Sequence, residues 1–142
     1  MATFRHGKNS YTNLDNGSGT PVDLSQYFND VAFPKSIDMG ETTSFGNQDK
    51  TYIVGVRDNK ITLKGTFDAT VDAHMDGLIS ALQAGTLASA TIVYGPAGST
   101  STFPSYTAEC LVSDYEIDGS VSAVVTITVG LQITGAVTRS TF

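Results

Sequence analysis

Between residues 121 and 135 the chain alternates almost without interruption. Val125, Ile127, Val129, Leu131 and Ile133 fall on one side, and Thr126, Thr128, Gly130, Gln132 and Thr134 on the other. A period of two is the signature of a strand with one face buried and one face wet. The wet face here is small, polar and uncharged, as on one side of an antiparallel sheet. The class is therefore mainly β, and the rest of the chain has to supply partner strands and an apolar cover.

Other segments answer that demand. In residues 60–68, Ile61, Leu63 and Phe67 oppose Thr62, Lys64 and Thr66, and Gly65 interrupts the apolar side as a bulge would. Residues 51–57 read as a strand joined to 60–68 by a turn at Asp58-Asn59. Residues 31–45 read as a strand with Val31, Phe33, Ile37 and Met39 on one side, and Pro34 places it at an edge or bulge. Residues 21–30 read as a short strand and a helical turn. Residues 88–94 and 103–117 are further strands, separated by the turn Gly95-Pro96-Ala97-Gly98. One helix is expected over 70–84, where Val71, Met75, Leu78, Ile79 and Leu82 form a single stripe. Asp68 or Thr70 would cap its start and Gly85 its end. Six or seven strands and one helix predict a β-sandwich or partly open barrel with a flanking helix, in one domain spanning 21–142.

Two polar stretches lack an evident core role. Residues 1–20 are rich in Asn, Ser and Gly, with only Phe4, Tyr11 and Leu14 as apolar anchors, and read as an N-terminal arm. It is either a frayed terminus or a segment that orders on a neighbouring chain. Residues 40–50 read as an extended loop around a lone Phe45.

Charged residues make up only 15% of the chain, less than an isolated soluble domain usually displays, so part of the surface is expected to be covered, by copies of the chain itself among other candidates. The balance of 14 acidic against 8 basic residues, with no basic cluster, argues against tight nucleic-acid binding. Cys110 is the only cysteine and sits in an apolar alternation with Ala108 and Val112, the place of a small core residue. The first twenty residues hold no apolar run, and no window suits a membrane span, so synthesis in the cytoplasm as a soluble protein is expected.

No chemistry emerges from the motifs. His6 and His74 have no partner at metal-ligand spacing. Glu109, Asp114, Glu116 and Asp118 are numerous enough for a glycosidase pair, but the chain has no Trp to stack a sugar, and solvated strand acids are the plainer reading. Asp114 to Gly119 matches a calcium loop only in part. Gly95 to Thr100 lacks the lysine and following helix of a phosphate loop. An enzyme is not expected, and neither a cofactor nor a metal is implied.

Taken in order, these pieces resemble the major tail (tube) proteins of long-tailed phages. The resemblance rests on Val22-Asp23-Leu24-Ser25-Gln26-Tyr27-Phe28-Asn29-Asp30-Val31, on Glu41-Thr42-Thr43-Ser44-Phe45-Gly46 and the loop to Lys50-Thr51-Tyr52, and on Gly55-Val56-Arg57-Asp58. It continues in Ile61-Thr62-Leu63-Lys64-Gly65-Thr66-Phe67-Asp68 and Leu131-Gln132-Ile133-Thr134-Gly135-Ala136-Val137-Thr138-Arg139, and covers most of 22–139. It implies hexameric rings whose inner sheets join around a channel, stacked into a tube that conducts DNA from capsid to host cell without specific binding. It further implies a tape measure protein and tail terminator or baseplate proteins as partners, and the virion tail as location. On this reading Thr126, Thr128, Gln132, Thr134, Thr62, Lys64 and Thr66 are candidates to face the lumen. Phe4, Tyr11, Leu14, Glu41, Phe45 and Tyr52 are candidates for contacts between rings or subunits. The competing expectation is a β-sandwich virion decoration or carbohydrate- or receptor-binding module.

Overall fold

The computed structural model describes residues 4–142. After a single 3-10 turn at Gly7–Asn9, ten strands and one helix follow: β1 (Tyr11–Asp15), β2 (Pro21–Asp23), β3 (Phe28–Ala32), β4 (Met39–Glu41), β5 (Tyr52–Val54), β6 (Lys60–Thr66), α1 (Ala69–Ala84), β7 (Ala90–Gly95), β8 (Pro104–Ser120), β9 (Ala123–Ile133) and β10 (Thr138–Thr141). Eight strands form one antiparallel sheet in the order β2-β1-β7-β8-β9-β6-β3, with β10 beside the start of β8; β4 and β5 pair separately. No helix among the described residues is long and apolar enough to cross a membrane.

The alternation in 121–135 sets the layers. Ile127, Val129 and Leu131 of β9 are buried, as are their neighbours Ile61 and Leu63 of β6 and Cys110 of β8. α1 lays Val71, Met75 and Leu78 onto this face, all without solvent exposure. Asp68 caps α1 by accepting from Thr70 N at 2.8 Å, and Gly85 ends it at φ 77°, ψ 8°, the left-handed conformation that glycine adopts without strain. Beyond the helix, Phe33 stacks at 5.8 Å on Tyr94, which pairs with Tyr106 across β7 and β8. The end of β3 thus meets the far side of its own sheet, which curls into a partly open barrel with the helix packed on its buried face.

The structure departs from the expected segments in three places. The span 31–45 is broken: β3 ends at Ala32, before Pro34, and β4 begins only at Met39. β5 pairs with β4, not with β6 across Asp58-Asn59, because β6 is already flanked by β3 and β9. The third departure lies within 1–20, of which residues 1–3 are outside the described region. Tyr11–Asp15 form β1, an interior strand between β2 and β7, and so belong to the sheet and not to an arm. Its polar residues are satisfied by partners distant in sequence. Thr12 N donates to Ser25 Oγ at 2.9 Å, and the Asp15 carboxylate accepts from Thr91 N at 3.1 Å.

Candidate functional site: the polar sheet face and the projecting hairpin

Opposite the helix, the antiparallel registers align a second, polar surface. Thr62 lies beside Gly130, Lys64 beside Thr128, and Thr66 beside Thr126. On the other side of β9, Asp114 pairs with Gly130, Glu116 with Thr128, and Asp118 with Thr126. Across β6, β3 places Asp30 beside Lys64 and Ala32 beside Thr62. Directly paired residues share a face, so β3, β6, β9 and the outer half of β8 present one four-stranded polar surface. Its columns differ: acid on β3, base on β6, uncharged on β9, acid on β8. Acids on β8 were visible in the sequence, but their alignment with the threonines needed the register.

Of the candidates for this surface, Thr62, Thr128 and Gln132 are half-buried, while Lys64, Thr66, Thr126 and Thr134 are exposed. Gln132 is tied down, with Nε2 donating to Asp58 Oδ1 at 2.7 Å and to the Asn59 carbonyl at 3.1 Å. Thr134 lies just past β9, its N–H donating to the Glu109 carbonyl at 2.8 Å. The one ion pair among the described residues also lies here. Lys60 Nζ donates to Asp114 Oδ1 at 2.6 Å, reaching from β6 to β8 across Gly130. A Cβ at Gly130 would fall 2.5 Å from Lys60 Cε and closer still to the Asp114 carboxylate, so any other residue there would push the two side chains out of their present arrangement. The hydrogen bond from Lys60, seconded by one from Ser113, holds the Asp114 carboxyl below the usual range.

Two open strand sides bound the polar surface. β3 pairs only with β6, and β8 beyond Leu111 only with β9. Gly65 controls the first of these, because its missing Cβ lets the Tyr27 carbonyl and Phe28 Cα approach β6, and the register of β3 shifts between Phe28 and Asp30. The bulge expected at Gly65 therefore lies in the strand opposite.

Between β3 and β6 the chain projects as residues 37–58. Its base is closed by Asn59, which is buried and whose Oδ1 accepts from Ser36 N at 3.0 Å and Ser36 Oγ at 2.6 Å. The β4–β5 hairpin pairs Met39 with Val54 and Glu41 with Tyr52. It carries exposed apolar side chains, with Met39 at 60%, Ile53 at 62%, Val54 at 67% and Phe45 fully exposed. The candidates Glu41, Phe45 and Tyr52 thus sit together on one projection, and Phe4 is likewise exposed. Tyr11 packs edge-on against Phe142 at 5.7 Å. Leu14 is a correction: it is completely buried in the core cluster, because β1 is an interior strand, and offers no surface to another subunit. Sequence reading also missed Met39, Ile53 and Val54, whose exposure follows from the separate pairing of β4 with β5.

Among the described residues no acid–base pair suited to catalysis is assembled. Asp114 is engaged by Lys60, and Glu109 accepts from Thr91 Oγ1 at 2.6 Å. A concavity of about 560 Å³ runs beside β3 and brings together His6, Lys8, Thr12, Asp30 and Tyr94, where His6 Nδ1 accepts from Lys8 N at 3.1 Å. Cys110 is buried, its thiol donating to the Ala90 carbonyl, and burial pushes its pKa up to about 12. His74 is not on the solvated side of α1 as its spacing implies. It is half-buried, its Nε2 has no partner, and burial lowers its pKa.

A curled sheet with a helix on one face and a bare polar surface on the other defines the architecture of tail tube proteins, and the chain has that fold. It is similar along 96% of its length, at 16% identity and a TM-score of 0.72, to a chain of the tail of an empty gene transfer agent particle with C6 symmetry, covering 99% of that chain. It is similar along 99%, at 13% identity and 0.74, to a chain of the anti-feeding prophage baseplate, covering 98% of it. It is also similar along 97%, at 13% identity and 0.65, to the tail tube of SPP1, covering 80% of that chain. No protein-family model and no curated protein sequence matches it.

Proposed function

We propose that the chain is the structural subunit of a phage-type tail tube. The observation that carries this reading is the four-stranded polar surface, which has no apolar cover to hide and is bounded by two unpaired strand sides. Open sides left free invite uncontrolled pairing; closing them around a ring removes them. In such a ring β3 of one copy meets β8 of the next, and the threonines of β9 line a channel. Six copies per ring agrees with the C6 symmetry of the gene transfer agent tail. The projecting hairpin with Glu41, Phe45 and Tyr52, together with Phe4 and the segment before β1, makes the contacts between stacked rings. A wall of small uncharged residues on β9, with the two lysines of β6 set between the acids of β3 and β8, gives a channel face with an excess of acid that disfavours tight DNA binding. A tape measure protein would fill the channel before DNA does, and terminator and baseplate proteins would close its two ends. The protein has no catalytic role in this scheme and is located in the virion tail.

Negative-stain microscopy of the purified protein tests the proposal, with rings or hollow tubes as the expected result. A chain that stays monomeric at high concentration, and also with its tape measure and initiator partners, would refute it. A decoration or sugar-binding role would use an aromatic platform; Phe33, Tyr94 and Tyr106, all half-buried, line a concavity of about 280 Å³ with Lys35, and a glycan array would show whether it takes a sugar.

A further inference from the structure

The polar surface contains two lysines, and the structure treats them differently. Lys64 has no ion-pair partner within the described residues. Lys60, four residues before it on the same strand and the same face, is bridged to Asp114 at 2.6 Å, over the only glycine of β9. Glycine in a strand interior weakens the strand, and an ion pair with both side chains about half exposed returns little stability. Stability is thus a poor account of why β9 gives up a side chain to let this bridge lie flat across it. The bridge does have an electrostatic consequence. An ammonium standing free on a channel wall is a contact for a phosphate, whereas one already bonded to a carboxylate is not.

We propose that Asp114 is a masking residue: it neutralises Lys60 in place, so that one of the two lysines of the channel face is withdrawn as a phosphate contact. The inference rests on the tube reading, and it names the residue that weakens the grip of this face on passing DNA. Asp118 supplies the internal control. It is an acid on the same face of the same strand, two rows further out, and bonds to no lysine. Asp114→Asn and Asp118→Asn change the net charge equally, but only the first releases an ammonium.

The test measures binding of a short fluorescent DNA duplex to the full-length protein, assembled and unassembled, across a salt series. Asp114→Asn should bind about tenfold more tightly than the parent at low salt, with a steeper salt dependence. Asp118→Asn should change affinity by less than about twofold. Lys60→Gln combined with Asp114→Asn should restore the parent's weak binding. Equal gains in the two single variants would make net charge the cause and overturn the proposal, as would no gain in Asp114→Asn. Microscopy of the same samples reads the tube proposal separately. An absence of rings in the parent would sink that reading, while the unassembled protein would still report whether Asp114 masks Lys60.

Discussion

Replacing Gly65 with alanine is the sharpest test of how the open side of β3 is built. An alanine Cβ at this position would overlap the Tyr27 carbonyl oxygen and lie 2.9 Å from Phe28 Cα. Both are backbone atoms, so neither can rotate aside; the turn before β3 has to move. Overpacking of that kind costs roughly 1–3 kcal/mol. Moving Tyr27 also disturbs the bond its carbonyl accepts from Thr66 N at 3.1 Å, a loss of about 1 kcal/mol. Against this, alanine restricts the unfolded chain, a gain of about 0.4–1 kcal/mol. The balance is a destabilisation of about 2 kcal/mol, which for a domain of this size lowers Tm by about 5–10 °C. Circular dichroism melts would measure it, with Gly77→Ala as the comparison. A Cβ at Gly77 has nothing within 4 Å, and alanine there should stabilise α1 by about 1 kcal/mol. A Gly65→Ala protein that melts within about 1 °C of the parent would refute the claim that a close backbone crossing sets β3. If it folds below its Tm but no longer forms rings, the edge itself is needed for assembly.

Other tests address separate features. Burial favours neutral His74, so its folded pKa lies below the unfolded value of about 6.5; the unfolded chain then binds more protons, and stability present above pH 6.5 falls as pH drops below it toward the folded pKa. His74→Gln should flatten the dependence of Tm on pH across that window, and an unchanged slope would place its origin elsewhere. Asn59→Ala removes the acceptor for Ser36 and should cost about 1–3 kcal/mol, while hydrogen exchange should accelerate over residues 37–58 more than in α1. Phe45→Ser should leave the melt unchanged, since the ring is fully exposed, yet shorten or abolish tubes seen by microscopy. Cys110 should react with thiol reagents only on unfolding, because its thiol is buried and stays protonated at neutral pH; rapid labelling of the native protein would contradict the burial.

Features that rest on local pattern were readable before the structure. The stripe of α1, its Asp68 cap and Gly85 stop, and the alternation of β9 all depend on residues within a few positions of one another. What escaped depends on partners far away in the chain. β1 reads as part of a polar arm because Asn13 and the Asn, Ser and Gly residues around it look like loop residues; Thr12 and Asp15 are buried there with Ser25 and Thr91 as partners. The pairing of β4 with β5 was hidden because the choice of partner is settled by β3 and β9 having already taken both sides of β6. The common face of the candidate threonines followed from period two and their place in a channel from the resemblance, whereas Asp114, Glu116, Asp118 and Lys60 joined them only once the register, with its shift between Val112 and Asp114, was known. Leu14 shows the reverse error, an apolar residue assigned to a contact surface because its flanks are polar.

The closure at Asn59 has a consequence for how such a chain can change. Residues 37–58 leave the sheet and return to it through the buried Asn59 side chain and the bond from Gln132 to Asp58, so the body of the protein grips the excursion at its base. Lengthening a segment closed in this way costs little, about 0.6 kcal/mol for each doubling. The excursion behaves as an interchangeable module plugged into a rigid frame. Lineages, or engineers, can swap its length and its tip without renegotiating the barrel.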